Sequence, residues 1–122
     1  MSEILFRGKD IQGNWHIGLL AHMGNGWYIS NKAGVSTAYE VIPGTVGQYT
    51  GLTDKYGNKI FEGDILAVGE NGKQYQTVSV SFKDGAFRVS RYAINLLESR
   101  NVESEVVGNI HDNPELLKGG AK

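Results

Sequence analysis

The chain has no cysteine and only two prolines in 122 residues. Without thiols there is no disulfide framework, no thiolate zinc site and no cysteine nucleophile, which suits a reducing compartment. Neither sign of charge is in surplus. Twelve Lys and Arg stand against thirteen Asp and Glu, for a net charge of −1 and a sequence pI near 6.3. That excludes the strong basic excess expected of a general binder of duplex DNA, RNA or anionic lipid, although a local basic patch stays open. Apolar runs are short, and none approaches the length that crosses a bilayer. The opening residues 1–7 lack the basic segment and long apolar core of a secretory signal, so a soluble cytoplasmic protein is expected. Nucleophile signatures are missing too, since no serine sits in a Gly-x-Ser-x-Gly elbow. The pair Gly24-x-Gly26 does not open a phosphate loop, because a strand pattern follows where a helix is required.

What the chain has is glycine. Seventeen glycines are spread along it instead of forming a tract. Spread glycine between alternating apolar residues points to an all-β, mainly antiparallel chain with many tight turns. The length suits one domain with a core that needs no staples. A first strand is expected over residues 3–7 and a polar turn over 9–14. A longer strand from Trp15 to Met23 alternates Trp15, Ile17, Leu19, Ala21 and Met23 with His16, Gly18, Leu20 and His22. The second set leaves His16 and His22 on one exposed strand face. They stand about 20 Å apart along the strand, too far to share one metal ion. Gly24-Asn25-Gly26 turns the chain into a strand at Trp27-Tyr28-Ile29. Residues 30–38 read as a loop, and Pro43-Gly44 as a turn after a short strand.

The second half repeats this language more clearly. Residues 65–68 form a short apolar strand and Gly69-Glu70-Asn71-Gly72 a hairpin loop. Residues 74–82 form a long strand, with Val78, Val80 and Phe82 turned inward. Asp84-Gly85 reverses the chain into residues 86–90, with Phe87 and Val89 on one side and Arg88 on the other. Such a meander curls into a small, partly open SH3-like or similar barrel. Residues 92–100 are the best helical candidate, on the spacing of Ala93, Ile94 and Leu97. A last strand is expected over 105–110. Asn113 then reads as an N-cap and Pro114 as the first helical residue of a short terminal turn.

The stretch from Gln48-Tyr49-Thr50-Gly51-Leu52 through Asp54, Gly57, Glu62, Gly63 and Asp64 is the densest in turn chemistry. Gly57 and Asn58 suit a tight reversal, and Gly63 a turn or bulge. Glu62 and Asp64 are read as carboxylates that satisfy turn amides and stay solvated, since no calcium-loop spacing accompanies them. Together with residues 41–47 and the pattern Val107-Gly108-Asn109-Ile110…Asn113-Pro114-Glu115-Leu116, this stretch resembles the YopX family. Residues 7–15 resemble its opening segment. The resemblance implies a small phage- or prophage-encoded protein in a bacterial cytoplasm, with one domain over residues 1–122. Within it, residues 1–47 form an N-terminal hairpin part, 48–117 a barrel-like part and 118–122 a tail. The signature residues that it singles out are Gln48, Tyr49, Thr50, Gly51, Leu52, Asp54, Gly57, Glu62, Gly63, Asp64, Gly108, Asn109, Asn113 and Pro114.

Three functions follow as expectations. The first is a non-catalytic module that binds itself as a homo-oligomer through the aromatic-rich residues 15–29. The second is a nucleic-acid accessory protein, with Arg88, Arg91, Tyr92 and Arg100 as its surface. The third is a modulator of a bacterial host protein. No catalytic residue, metal, cofactor, membrane or small-molecule substrate is implied.

Overall fold

In the computed structural model, residues 4–30, 38–89, 92–98 and 102–120 are described. The loop read at 30–38 lies almost wholly outside them. The chain divides into two compact units, residues 1–49 and 50–122. Among the described residues, the strand pairings whose register is resolved are antiparallel.

The first unit is built from Phe6–Lys9 (β1), Trp15–Met23 (β2), Gly26–Ser30 (β3) and Tyr39–Val41 (β4), followed by a 3-10 turn at Pro43–Thr45. The strands lie in the order β4-β3-β2-β1, and the start of β5 (Gly47–Thr53) continues the sheet beside β1. The first strand starts later than the apolar pattern suggests and runs to Lys9. Asp10 ends it by folding the following turn around its own carboxylate. The nine-residue β2 is shared. Its first half, residues 15–18, pairs with β1, and its second half, residues 19–23, pairs with β3.

The strands then fold over one another. Ile42 N–H donates to Lys9 O at 2.8 Å, and a Cβ added to Gly8 would sit 2.9 Å from Val41 Cβ. The inner side therefore carries Gly8, Gly18, Ile29 and Val41, all buried. Only glycine lets β4 approach β1 this closely. Gly8→Ala forces the buried Val41 away and is expected to cost about 1–3 kcal/mol, read as a lowered midpoint in thermal or urea unfolding.

The second unit continues with the end of β5 and Lys59–Phe61 (β6), then Asp64–Glu70 (β7), Lys73–Lys83 (β8), Ala86–Val89 (β9), Tyr92–Ala93 (β10) and Val102–Asn109 (β11). Strands β7 to β11 form an open sheet, ordered β10-β9-β8-β7-β11, with no closed barrel among the described residues. The fifth strand returns to lie beside the first of a four-strand meander. The β7–β8 and β8–β9 hairpins turn on Asn71-Gly72 and Asp84-Gly85, with all four residues at positive φ. This is the pairing that two-residue hairpins favour. The core holds Ile60, Leu66, Val78, Val80 and Val89, with Leu52, Val68, Ile94, Leu97 and Val106 packed on it.

Three local expectations change here. Phe82 is 51% exposed. It lies one hairpin position beyond the core and meets Phe87 edge-on at 5.0 Å. The helix read at 92–100 is instead β10 and a 3-10 turn, Ile94–Glu98. Ile94 and Leu97 are three apart, which is one turn of a 3-10 helix, and both pack on the core. The last strand begins at Val102, earlier than read. The terminal helix α1, Glu115–Gly120, lies against β8.

Candidate interaction surface

Nearly every signature residue is engaged by the chain's own backbone. Asp54 is buried at the turn after β5. Its Oδ1 accepts from Tyr56 N–H at 2.9 Å and Asn58 N–H at 2.8 Å. Its Oδ2 accepts from Val106 N–H at 3.0 Å and Asn58 Nδ2 at 3.2 Å. One side chain thus closes a turn and ties it to β11, a strand 52 residues on. Burial is the largest single influence on this carboxyl and raises its pKa. The hydrogen bonds from Val106, Asn58 and Tyr56 outweigh it together, so the group stays below the ordinary carboxylate value. Gly57, at φ 87°, makes the reversal, while Asn58 keeps a negative φ.

The neighbours behave alike. Thr50 Oγ1 donates to Ile60 O at 2.8 Å, and Gly51 takes φ 92° within β5. Leu52 packs on the core and Tyr49 is buried, whereas Gln48 is half-buried opposite Phe6. Gly63 has φ 94°; its N–H reaches Val80 O, and its carbonyl accepts from Ile110 N–H, both at 2.8 Å. Asp64 accepts from Phe61 N–H at 2.7 Å. It is 1% exposed, so the solvated carboxylate read from the sequence is corrected to a buried one. Glu62 is half-buried beside it.

At the chain's end the β7–β11 register slips between Val106 and Gly108. A Cβ on Gly108 would stand 2.6 Å from Asn113 Oδ1. That oxygen accepts from Asn109 N–H at 3.2 Å, so the Asn113 side chain turns back to the strand, while its carbonyl accepts from Leu116 N–H at 3.1 Å where the terminal helix begins. Asn109 Oδ1 takes the N–H groups of His111 and Asp112 at 3.0 and 2.9 Å. Pro114 immediately precedes α1. The signature is thus a set of turn and bulge fasteners.

The expected basic surface is described only in part. Arg88 is half-buried in β9, its Nε donating to Lys83 O at 3.2 Å. Tyr92 lies in β10 opposite Val89, with its side chain outside the described residues, as are Arg91 and Arg100. The two histidines do not converge. His16 Nε2 is 2.8 Å from Asp10 Oδ2, and its ring stacks on Tyr39 at 4.0 Å. His22 stacks on Trp27 at 4.3 Å. Among the described residues, no three His, Asp or Glu side chains gather as a metal site.

The exposed surface lies on β2, on the side opposite to that expected. His16 faces inward and its side chain is 13% exposed. The alternating set faces out, with Ile17 and Leu19 each 46% and Met23 55% exposed. On the same side, Arg7 and Lys9 cover Trp15, at 4.9 and 5.8 Å from its ring centre. The alternation was readable, but its sense depended on Gly8 and Gly18, which make room only inward.

The YopX family model matches residues 20–118. The chain belongs to the YopX family. The match runs from the second half of β2 to the terminal helix and takes in the fasteners above. Among solved structures, the chain is similar to protein EF1440 from Enterococcus faecalis, with a TM-score of 0.60 and 23% identity. That likeness covers 96% of this chain and 99% of the other, and it shows a shared fold. No curated protein matches. No helix among the described residues is long and apolar enough to cross a membrane.

Proposed function

We propose that this YopX protein is a non-catalytic assembly module, phage- or prophage-encoded and working in a bacterial cytoplasm, that joins to copies of itself. The row Ile17, Leu19 and Met23 on the outer side of β2 carries the reading. Three large apolar side chains about half exposed along one strand form the kind of patch that soluble proteins reserve for contacts. The signature residues support the same reading from the other side, because they fasten turns and so leave the fold available as a scaffold. Light scattering over a wide concentration range tests it. Leu19→Glu places a charge in the contact and is expected to weaken self-association at least about tenfold with the fold intact. A wild-type protein that stays monomeric at the highest concentration ends the proposal.

A second reading, nucleic-acid binding, draws on the tip of the β8–β9 hairpin. There the exposed Phe82 meets Phe87 edge-on, with Arg88 turned to the other side of the same hairpin. An exposed pair of aromatic rings suits stacked single-stranded bases. Binding of an oligonucleotide that is insensitive to salt sinks this reading.

A further inference from the structure

The β1–β2 turn holds an isoleucine out in water. Ile11 is 91% exposed, yet the turn beneath it is tightly tied. Asp10 N–H donates to Asn14 O at 2.9 Å and Gly13 N–H to Asp10 O at 3.0 Å. Asp10 Oδ1 accepts from Gln12 and Asn14 N–H, both at 2.9 Å, while Oδ2 meets His16. A side chain presented on a fixed turn loses little freedom when something covers it, which favours binding.

Ile11 borders a cleft of about 340 Å³, completed by Glu40, Val41, Ile42 and Pro43. Among the described residues, its lining is apolar except for the Glu40 carboxylate. Strand β4 supplies two of these residues, and just past it Ile42 N–H already donates to Lys9 O, so the end of β1 closes that side of the cleft. The cleft's size is near the lower end for ligand sites. A stable protein dimer buries about 1,600 Å² in total, far more than these few side chains offer, so the occupant is short.

We propose that this cleft docks a short extended peptide segment of a partner protein. An apolar side chain seats against Ile11 and Ile42, and a lysine or arginine lies beside Glu40. The apolar cleft and the carboxylate set the sequence preference. This site is separate from the outer row of β2.

A phage-displayed random peptide library, selected on the intact wild-type chain, tests the proposal. Enriched peptides are expected to share an apolar residue next to a lysine or arginine. As synthetic peptides they should lose at least about tenfold in affinity for Ile11→Ser, from the lost burial of one isoleucine. Glu40→Lys should turn the preference towards acidic neighbours. Both positions are exposed, and unchanged melting of the two variants confirms that the fold survives. Leu19→Glu should bind the same peptides as wild type even where it abolishes self-association. Failure to enrich any peptide overturns the proposal, as does equal binding to Ile11→Ser. Loss of the chain's own oligomer in Ile11→Ser also overturns it, because the cleft would then be covered by a second copy.

Discussion

Asp54→Ala is expected to lower stability by about 3 kcal/mol, or about 10 °C or more in melting temperature. Three backbone N–H groups and one side-chain amide converge on this carboxylate. Tyr56 and Asn58 are exposed and can turn to water after the change, so their loss is modest. The amide of Val106 lies within β11 and loses an ionised acceptor, a contact worth about 1.5–3 kcal/mol. Asp54→Asn keeps the shape and one acceptor oxygen and should cost less, about 1–2 kcal/mol. The two variants also separate charge from geometry. Because the folded carboxyl has a depressed pKa, its contribution is fully present above the unfolded value of about 3.9. It fades as pH falls through the lower, folded value. Wild-type protein should therefore lose stability on acidification below about pH 4 more steeply than Asp54→Asn. Urea unfolding at several pH values measures both effects. An Asp54→Ala protein as stable as wild type would remove Asp54 from its place as the fastener of β11.

The role of Asp54 was only half legible in the sequence. A turn over residues 54–58 follows from Asp, Gly and Asn in close succession. The tie to Val106 does not, because nothing local marks a partner 52 residues away. The same division runs through the fold. Hairpin turns at Asn71-Gly72 and Asp84-Gly85, and the antiparallel all-β class, are local consequences of turn chemistry and alternation, and both were readable. The sense of β2 was not. Alternation assigns residues to two sides without saying which is covered, and hydrophobicity alone favours the wrong one. Gly8 decides the matter through its fit to Val41, a contact between distant residues. Ile11 was hidden for a related reason, since a polar turn gives no sign that its one apolar residue borders a cleft formed by residues 40–43.

Gly69→Ala should be strongly destabilising for the addition of a single methyl group. The sequence pattern places Gly69 in the hairpin loop, but β7 runs through it to Glu70, and the turn is made by Asn71-Gly72. The β7–β8 register slips between Val68 and Gly69, so that Val68 stands opposite Gln76 and Gly69 opposite Gln74. At this bulge β8 folds its backbone over Gly69. An added Cβ would overlap Lys73 O and lie 2.8 Å from Gln74 Cα. These are main-chain atoms, so no rotamer change relieves the overlap. Either β7 and β8 separate locally or the bulge moves. A one-residue slip turns each side chain of a strand to the opposite face, which would take Val78 and Val80 out of the core. The expected cost is about 3 kcal/mol or more, at or beyond the upper end for overpacking. Gly72→Ala is the control. It sits in the same hairpin at φ 80°, but an added Cβ meets nothing within 4 Å, so only backbone strain is charged, about 1 kcal/mol. Hydrogen exchange of the β7–β8 amides with unfolding midpoints for both variants checks the argument. If Gly69→Ala costs no more than Gly72→Ala, the close approach of β8 does not carry the penalty.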